Sequence, residues 1–287
     1  MIAMALPTVR LSELTSRGMG ERRISHQHNA LTLIQHNRLA KTQRDGLVYA
    51  RHIKRVEGQT VMASPSEKLA QSLEVLHRLQ NANGTGAIRA RDMTRTHRER
   101  LLASGFLQEV IKGWYIPSRP DQVRGESTAW YASFWQFAAA YLETRFRQNW
   151  CLSPEQSLSL HGGNWTVPRQ LVARSPKGRN NVTNLPHGTA LLDLHAALPV
   201  PADREEKEGL RISSIESALI ECSPEHFSRH ATDVRAALAM IRDASGLLAK
   251  LLEGGRSTIA GRLAGAFRNS RRDRIADEIR ETMSAAG

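Results

Sequence analysis

Apolar residues recur at helical spacing from residue 67 onward. Leu69, Leu73, Leu76 and Leu79 follow one another at steps of three and four residues, which places them on one face of an α-helix. Ser66 is a suitable N-cap for this helix, and residues 81–86 have the composition of a turn. The pattern therefore predicts a first helix that begins at residue 67 and buries one face.

Shorter elements follow. Residues 87–90 are typical of a short strand or of a direct lead into the next helix, and residues 91–93 of a brief second helix. Thr96-His97-Arg98-Glu99 matches a capping box, in which the Thr96 hydroxyl accepts from the Glu99 amide and the Glu99 carboxylate accepts from the Thr96 amide. A third helix is therefore predicted to begin at Thr96 and to end before Gly105, where a left-handed residue is expected.

Two strands joined by a tight turn complete this part of the chain. The strands are residues 106–110 and 114–117, and the turn is residues 111–113. Three helices followed by a hairpin within about 50 residues is the order of a winged helix-turn-helix, whose last helix inserts its first turns into the major groove of DNA. The sequence therefore predicts a winged helix-turn-helix at residues 62–120.

Basic and polar side chains are concentrated on the first turns of the third helix and at the tip of the hairpin. In this fold such positions reach base edges and phosphates. The predicted DNA-contacting residues are Arg95, Thr96, His97, Arg98, Arg100 and Lys112. The alternative is a solvated charged helix face without a ligand.

The remainder, residues 121–287, combines helices with a few strands. Residues 127–147 form an aromatic helix whose rings either stack on bases or pack in the core, and the scarcity of charges favours core packing. Ser153-Pro154-Glu155 is a typical helix start. Strands are predicted at 170–174, 180–184 and 189–194, and helices at 214–221, 224–242, 245–253, 258–269 and 271–283. We therefore expect an α+β protein in which a winged helix-turn-helix precedes a small mixed sheet with helices and a C-terminal helical bundle.

The charge of the chain favours a polyanionic partner. Its 40 Lys and Arg against 28 Asp and Glu give a net charge of +12, and such side chains bind phosphates with release of counterions. Residues 1–61 alone hold 10 basic and 4 acidic residues. We expect this segment to be a poorly ordered basic arm, which either adds phosphate contacts or results from a start codon assigned too far upstream.

Several classes of protein lack support in the sequence. Two cysteines, Cys151 and Cys222, suit a reducing compartment and are too few for a disulfide scaffold. Neither a membrane-spanning run nor a signal peptide is recognisable, so a cytoplasmic location is expected. The sequence contains no Walker loop, nucleophile elbow or dinucleotide fingerprint, and we expect no enzymatic activity, no cofactor and no metal. Residues 254–258 suit a turn between helices better than an anion-binding helix start.

The segment 88–118 resembles the N-terminal winged helix of AbiEi-type antitoxins, the antitoxins of type IV toxin-antitoxin systems. The similarity lies in the run Arg-Thr-His-Arg-Glu-Arg-Leu-Leu-Ala-Ser-Gly-Phe-Leu-Gln-Glu-Val-Ile-Lys-Gly-Trp-Tyr-Ile-Pro. The later runs 152–162 and 214–219 are similar to helix starts in the C-terminal module of that family. The resemblance implies repression of the protein's own operon through DNA binding, together with neutralisation of a toxin.

The same region is also similar to the N-terminal part of some bacterial Fic (cell filamentation) proteins. Their AMP-transferring domain is marked by a His-Pro-Phe loop, and this chain contains no His-Pro-Phe. The similarity without this loop has two explanations, a shared ancestry or a C-terminal half that is missing from this chain.

The leading hypothesis is a DNA-binding, antitoxin-like transcriptional regulator. The alternative is an interaction module that controls a cognate toxin or a Fic-type protein without contacting DNA.

Overall fold

The computed structural model describes residues 64–83, 86–121 and 125–286. The predicted basic arm at 1–61 lies outside the described residues. Residues 64–287 form one compact unit. The helices are α1 (Pro65–Asn83), α2 (Arg95–Ala103), α3 (Thr128–Phe146), α4 (Pro154–His161), α5 (Ile215–Glu221), α6 (Pro224–Arg229), α7 (Ala231–Met240), α8 (Ser245–Glu253), α9 (Ser257–Asn269) and α10 (Asp273–Ala285). The strands are β1 (Ile88–Arg89), β2 (Leu107–Ile111), β3 (Trp114–Pro117), β4 (Cys151–Leu152), β5 (Gln170–Ser175), β6 (Asn181–Asn184), β7 (Ala190–His195), β8 (Arg204–Lys207) and β9 (Leu210–Ser213).

The strands form small sheets, and the predicted α+β class with helices at the C-terminal end is confirmed. In the described residues the first sheet has the order β1-β3-β2 and is antiparallel. The second has the order β4-β5-β7-β6, in which β5 and β7 are parallel and the outer pairs antiparallel. Strands β8 and β9 form a separate hairpin, which the apolar spacing of the sequence does not predict.

A first core lies between α1, α2 and the three-stranded sheet. Its buried members are Leu76, Ile88, Met93, Leu101, Leu107 and Tyr115. Leu76 belongs to the predicted apolar face of α1, and Leu101 is fully buried on α2. Gly105 follows α2 at φ 75°, the left-handed conformation expected there. The apolar spacing along α1 and α2 therefore fixes how the two helices pack.

The second core surrounds the aromatic helix α3. Trp130, Phe134, Phe137 and Phe146 are buried in it, so core packing is the role of these rings, as the sequence favoured. Trp114 of β3 contacts Phe137 edge-to-face at 5.7 Å and Tyr141 at 5.6 Å. The hairpin β2–β3 is therefore seated on α3 by aromatic contacts.

A third core joins α4 to the C-terminal helices. The predicted single helix at 224–242 is wrong, because His230, at φ −123° and ψ 43°, separates α6 from α7. Residues 254–256 connect α8 to α9, with Gly255 at φ 58°. The interpretation of this segment as a turn between helices agrees with that geometry.

Candidate nucleic-acid interface

Helix α2 begins at Arg95, one residue before Thr96, which the sequence predicts as its N-cap. Thr94 is the N-cap, and its hydroxyl accepts a hydrogen bond from the His97 amide at 3.5 Å. Thr96 lies inside the first turn, so the predicted capping box at Thr96 and Glu99 is wrong. Glu99 instead forms an ion pair with Arg95 along the helix. Thr96 is therefore free of a capping role and exposed to solvent.

The position of the cap is testable by stability. Thr94→Ala should lower the free energy of unfolding by about 1 kcal/mol, because an amide of the first turn loses its acceptor. Thr96→Ala, at an exposed helical position, should change it by less than about 0.5 kcal/mol. Urea unfolding of the two variants measures both values. The reverse order of the two effects would place the cap at Thr96.

Three of the six predicted contact residues face solvent. Arg95 and Thr96 lie on the first turn of α2, and Lys112 lies at the tip of the β2–β3 hairpin; all three are exposed. The Arg95 side chain is 81% exposed, and that of its partner Glu99 is 58% exposed. An exposed ion pair of this kind contributes little to stability, so Arg95 is available to another anion.

The other three residues hold α2 in place. The His97 Nδ1 lies 2.9 Å from the Ser72 hydroxyl on α1, and an Arg100 Nη1 donates to the Lys68 carbonyl at 2.7 Å and to the same hydroxyl at 2.9 Å. Arg98 donates to the Ala90 carbonyl at 3.0 Å and lies over the Tyr115 ring. These three side chains are predicted DNA contacts, whereas in the structure each of them makes contacts within the protein.

The hairpin tip lies beside the segment that leads into α2. The Ala90 amide donates to the Gly113 carbonyl at 2.9 Å. Lys112, the neighbour of Gly113 in the sequence, therefore lies close to Ala90 in space. Gly113 has φ 83°, a conformation that favours glycine. Arg91, next to Ala90, is exposed and was missed as a candidate. The sequence feature that identifies Arg91 as a candidate is its position between the short strand β1 and the basic helix α2.

An ion pair fixes the chain just before α2. The Arg89 Nη2 donates to Asp92 at 2.9 Å, and the Arg89 amide donates to the same carboxylate at 2.9 Å. Burial alone would raise the pKa of Asp92, but the hydrogen bonds and charge of Arg89, together with the charge of Arg91, outweigh it and hold the pKa below its ordinary value. Asp92 therefore stays ionised and keeps Arg91 and the start of α2 in a defined position.

Other chemistry finds little support among the described residues. No group of three or more His, Cys, Asp or Glu side chains there is placed to hold a metal ion. In the same part of the chain no helix is both long and apolar enough to cross a membrane. Cys151 and Cys222 are buried, and burial raises the pKa of each thiol. A nucleophilic cysteine requires the opposite shift.

Comparison with known proteins adds no family to this geometry. No protein-family model matches the chain, and none of the curated proteins matches it. The resemblance to AbiEi-type antitoxins therefore stays a prediction.

Proposed function

We propose that residues 64–120 form a winged helix-turn-helix that binds double-stranded DNA. In this proposal α2 is the recognition helix and the β2–β3 hairpin is the wing. The observation that carries it is the orientation of the side chains on α2. Arg95 and Thr96 face solvent, whereas His97 and Arg100 form hydrogen bonds with α1. Such a helix offers donors to DNA from a fixed scaffold.

The electrostatics of the surface support the same partner. The first turn of α2 presents backbone N–H groups at the positive end of the helix dipole, and both attract phosphate. Arg91, Arg95 and Lys112 add three exposed cations around this end. The net charge of +12 favours association with a polyanion at long range.

On the biological level we propose a cytoplasmic, antitoxin-like transcriptional regulator that represses its own operon. The basis is the resemblance of the segment 88–118, together with the exposed basic start of α2. A cognate toxin or a Fic-type protein would be the protein partner. In the alternative function, an interaction module without DNA binding, that partner would be the main ligand.

Mobility shifts with the upstream promoter DNA test the proposal. The double variant Arg95→Ala, Lys112→Ala should weaken binding about tenfold or more and lower the slope of log affinity against log salt by about 2, because two phosphate or base contacts are lost. Arg229→Ala is the control for Arg95→Ala, since Arg229 is an exposed helical arginine paired with Glu225 at the same i,i+4 spacing in the sequence.

The outcomes separate the two functions. Specific retardation of the promoter over a scrambled duplex, lost in the double variant and retained in Arg229→Ala, supports the proposal. Equal and weak binding to both duplexes, or binding that the double variant leaves unchanged, contradicts it. The interaction module would then be the better hypothesis.

A further inference from the structure

The parallel strands β5 and β7 are apolar on both of their faces. Leu171, Val172 and Ala173 follow one another in β5, and Leu191 and Leu192 do so in β7. Strands of this composition are typical of a parallel sheet that is covered on both sides. An uncovered face of such a pair therefore requires an explanation.

Helix α3 covers one face of the sheet that contains β5 and β7. Leu171, Ala173 and Leu191 are at most 1% exposed and belong to the core around that helix. On the opposite face, Val172 pairs with Leu192 and Leu192 with Val182, which places three aliphatic side chains in one row across three strands. Val172 and Leu192 are only partly buried, and Val182 is 52% exposed. In the described part of the chain, this row belongs to none of the three cores.

A groove runs along this open face. Two cavities, of about 630 and 460 Å³, share Ser153, Glu155, Val172 and Ser223 in their walls and therefore adjoin one another. The larger cavity extends past Leu194 to Ile259 of α9. Val172 of β5 and Leu194 of β7 line the floor of the groove, and α4 and α6 contribute to its walls. The row continues beside the groove through Leu192 and Val182.

One end of the groove carries arginines that lack a carboxylate partner. Arg174 is paired with Glu221, and Glu155 accepts a hydrogen bond from the Ser223 amide. Among the described residues, no ion pair is formed by Arg256 or by Arg262. The Arg262 Nη2 donates to the Ile220 carbonyl at 3.3 Å and the guanidinium lies over the Phe227 ring. Its Nε is buried without a hydrogen-bond partner, and burial lowers the pKa of this guanidinium. Carboxylates placed at this end would complement the charge of both arginines.

We propose that this groove binds an amphipathic helix of another protein, with aliphatic side chains on the sheet and carboxylates at Arg256 and Arg262. A helix is the element that ordinarily covers the second face of a parallel sheet. The charges argue against the two other occupants. A second copy carries a net charge of +12, and residues 1–63 of this chain hold 10 basic against 4 acidic residues. The proposal does not depend on DNA binding.

A synthetic peptide tests the chemistry of the partner. The probe is a fluorescent amphipathic helix of about five turns, with leucine on one face and glutamate on the other, and its binding to the full chain is measured by anisotropy. The matched peptide carries lysine in place of glutamate. We expect the glutamate peptide to bind at least about tenfold more tightly than the lysine peptide, because only the former complements the arginines.

Variants of the chain locate the site. Val182→Glu should weaken binding of the glutamate peptide about tenfold, because a carboxylate enters the apolar row, and Arg256→Glu about fivefold. Met240→Glu is the control for the first, since Met240 is 53% exposed on another helix and should leave binding unchanged. Arg256 is exposed, so its variant keeps the test valid if Val182→Glu melts at a lower temperature than the native chain.

Three results would overturn the proposal. They are the absence of binding, equal affinity for the two peptides, and binding that both Val182→Glu and Arg256→Glu leave intact. Sedimentation velocity adds a fourth, a dimer of the full chain that Val182→Glu dissociates, because a second copy would then occupy the face.

Discussion

Phe137→Ala is expected to lower the free energy of unfolding by about 3–5 kcal/mol, the usual cost of a large cavity in a packed core. The Phe137 side chain is fully buried. Its ring contacts Trp114 at 5.7 Å and Trp130 at 5.4 Å edge-to-face, and is stacked on Tyr141 at 5.7 Å. Three aromatic contacts and the burial of the ring are lost together. Urea unfolding of the native and variant chains measures the loss.

Tyr131→Ala on the same helix is the control for this variant. Tyr131 is 43% exposed, so its replacement should cost less than about 1 kcal/mol. A similar loss in the two variants would show that α3 contributes through helix formation and not through packing. Because Trp114 belongs to the hairpin, Phe137→Ala should also weaken the proposed DNA binding, although Phe137 is not itself a proposed contact. Unchanged DNA binding in a variant of lower stability would show that the hairpin keeps its position without the contact between Trp114 and Phe137.

The helices were predictable where a cap and a periodic apolar face coincide. Ser153 and Ser214 are N-caps whose hydroxyls accept from amides of the first turn, and both starts were visible in the sequence. The strands β5, β6 and β7 were also predicted to within a residue at each end. Local chemistry determines these boundaries, so local sequence reveals them.

The misses arise where long-range contacts decide. Thr94 and Thr96 are both acceptable caps, and the packing of His97 and Arg100 on α1 favours the earlier start. No glycine or proline marks the break at His230. The hairpin of β8 and β9 is charged and short, and Leu210 and Ile212 are its only buried apolar residues. Patterns of apolar spacing do not capture such elements.

The candidate site was predictable as a region and not residue by residue. A basic run on a short helix predicts a charged face, but the helix must bury part of its circumference, and composition does not say which cations lie there. The structure turns Arg98 and Arg100 inward and leaves Arg95 outward. The open sheet face was equally unpredictable. The sequence shows that both faces of β5 and β7 are apolar, but not that the chain covers only one of them.

Cys222 is expected to resist alkylation in the native protein. Burial raises the pKa of its thiol from 9.0 to about 12, so at pH 8 the thiolate fraction falls by about a thousandfold, and the thiolate is the reactive form. Cys151→Ala makes Cys222 the only thiol in the assay. Iodoacetamide labelling followed by mass spectrometry should be slow at pH 8 and should accelerate about tenfold for each pH unit above it, well beyond pH 9.

The chain unfolded in guanidinium is the control, because a free thiol reacts rapidly and its rate levels off near pH 9. The shift also predicts a stability change. A thiol whose pKa is raised by folding stabilises the native state below pH 9, and this contribution is lost as the pH rises from 9 towards 12. Rapid labelling of the native chain at pH 8 would contradict both expectations. It would also give the chain an activated thiol on the wall of the groove beside Arg262, and the expectation of a protein without enzymatic activity would lose one of its supports.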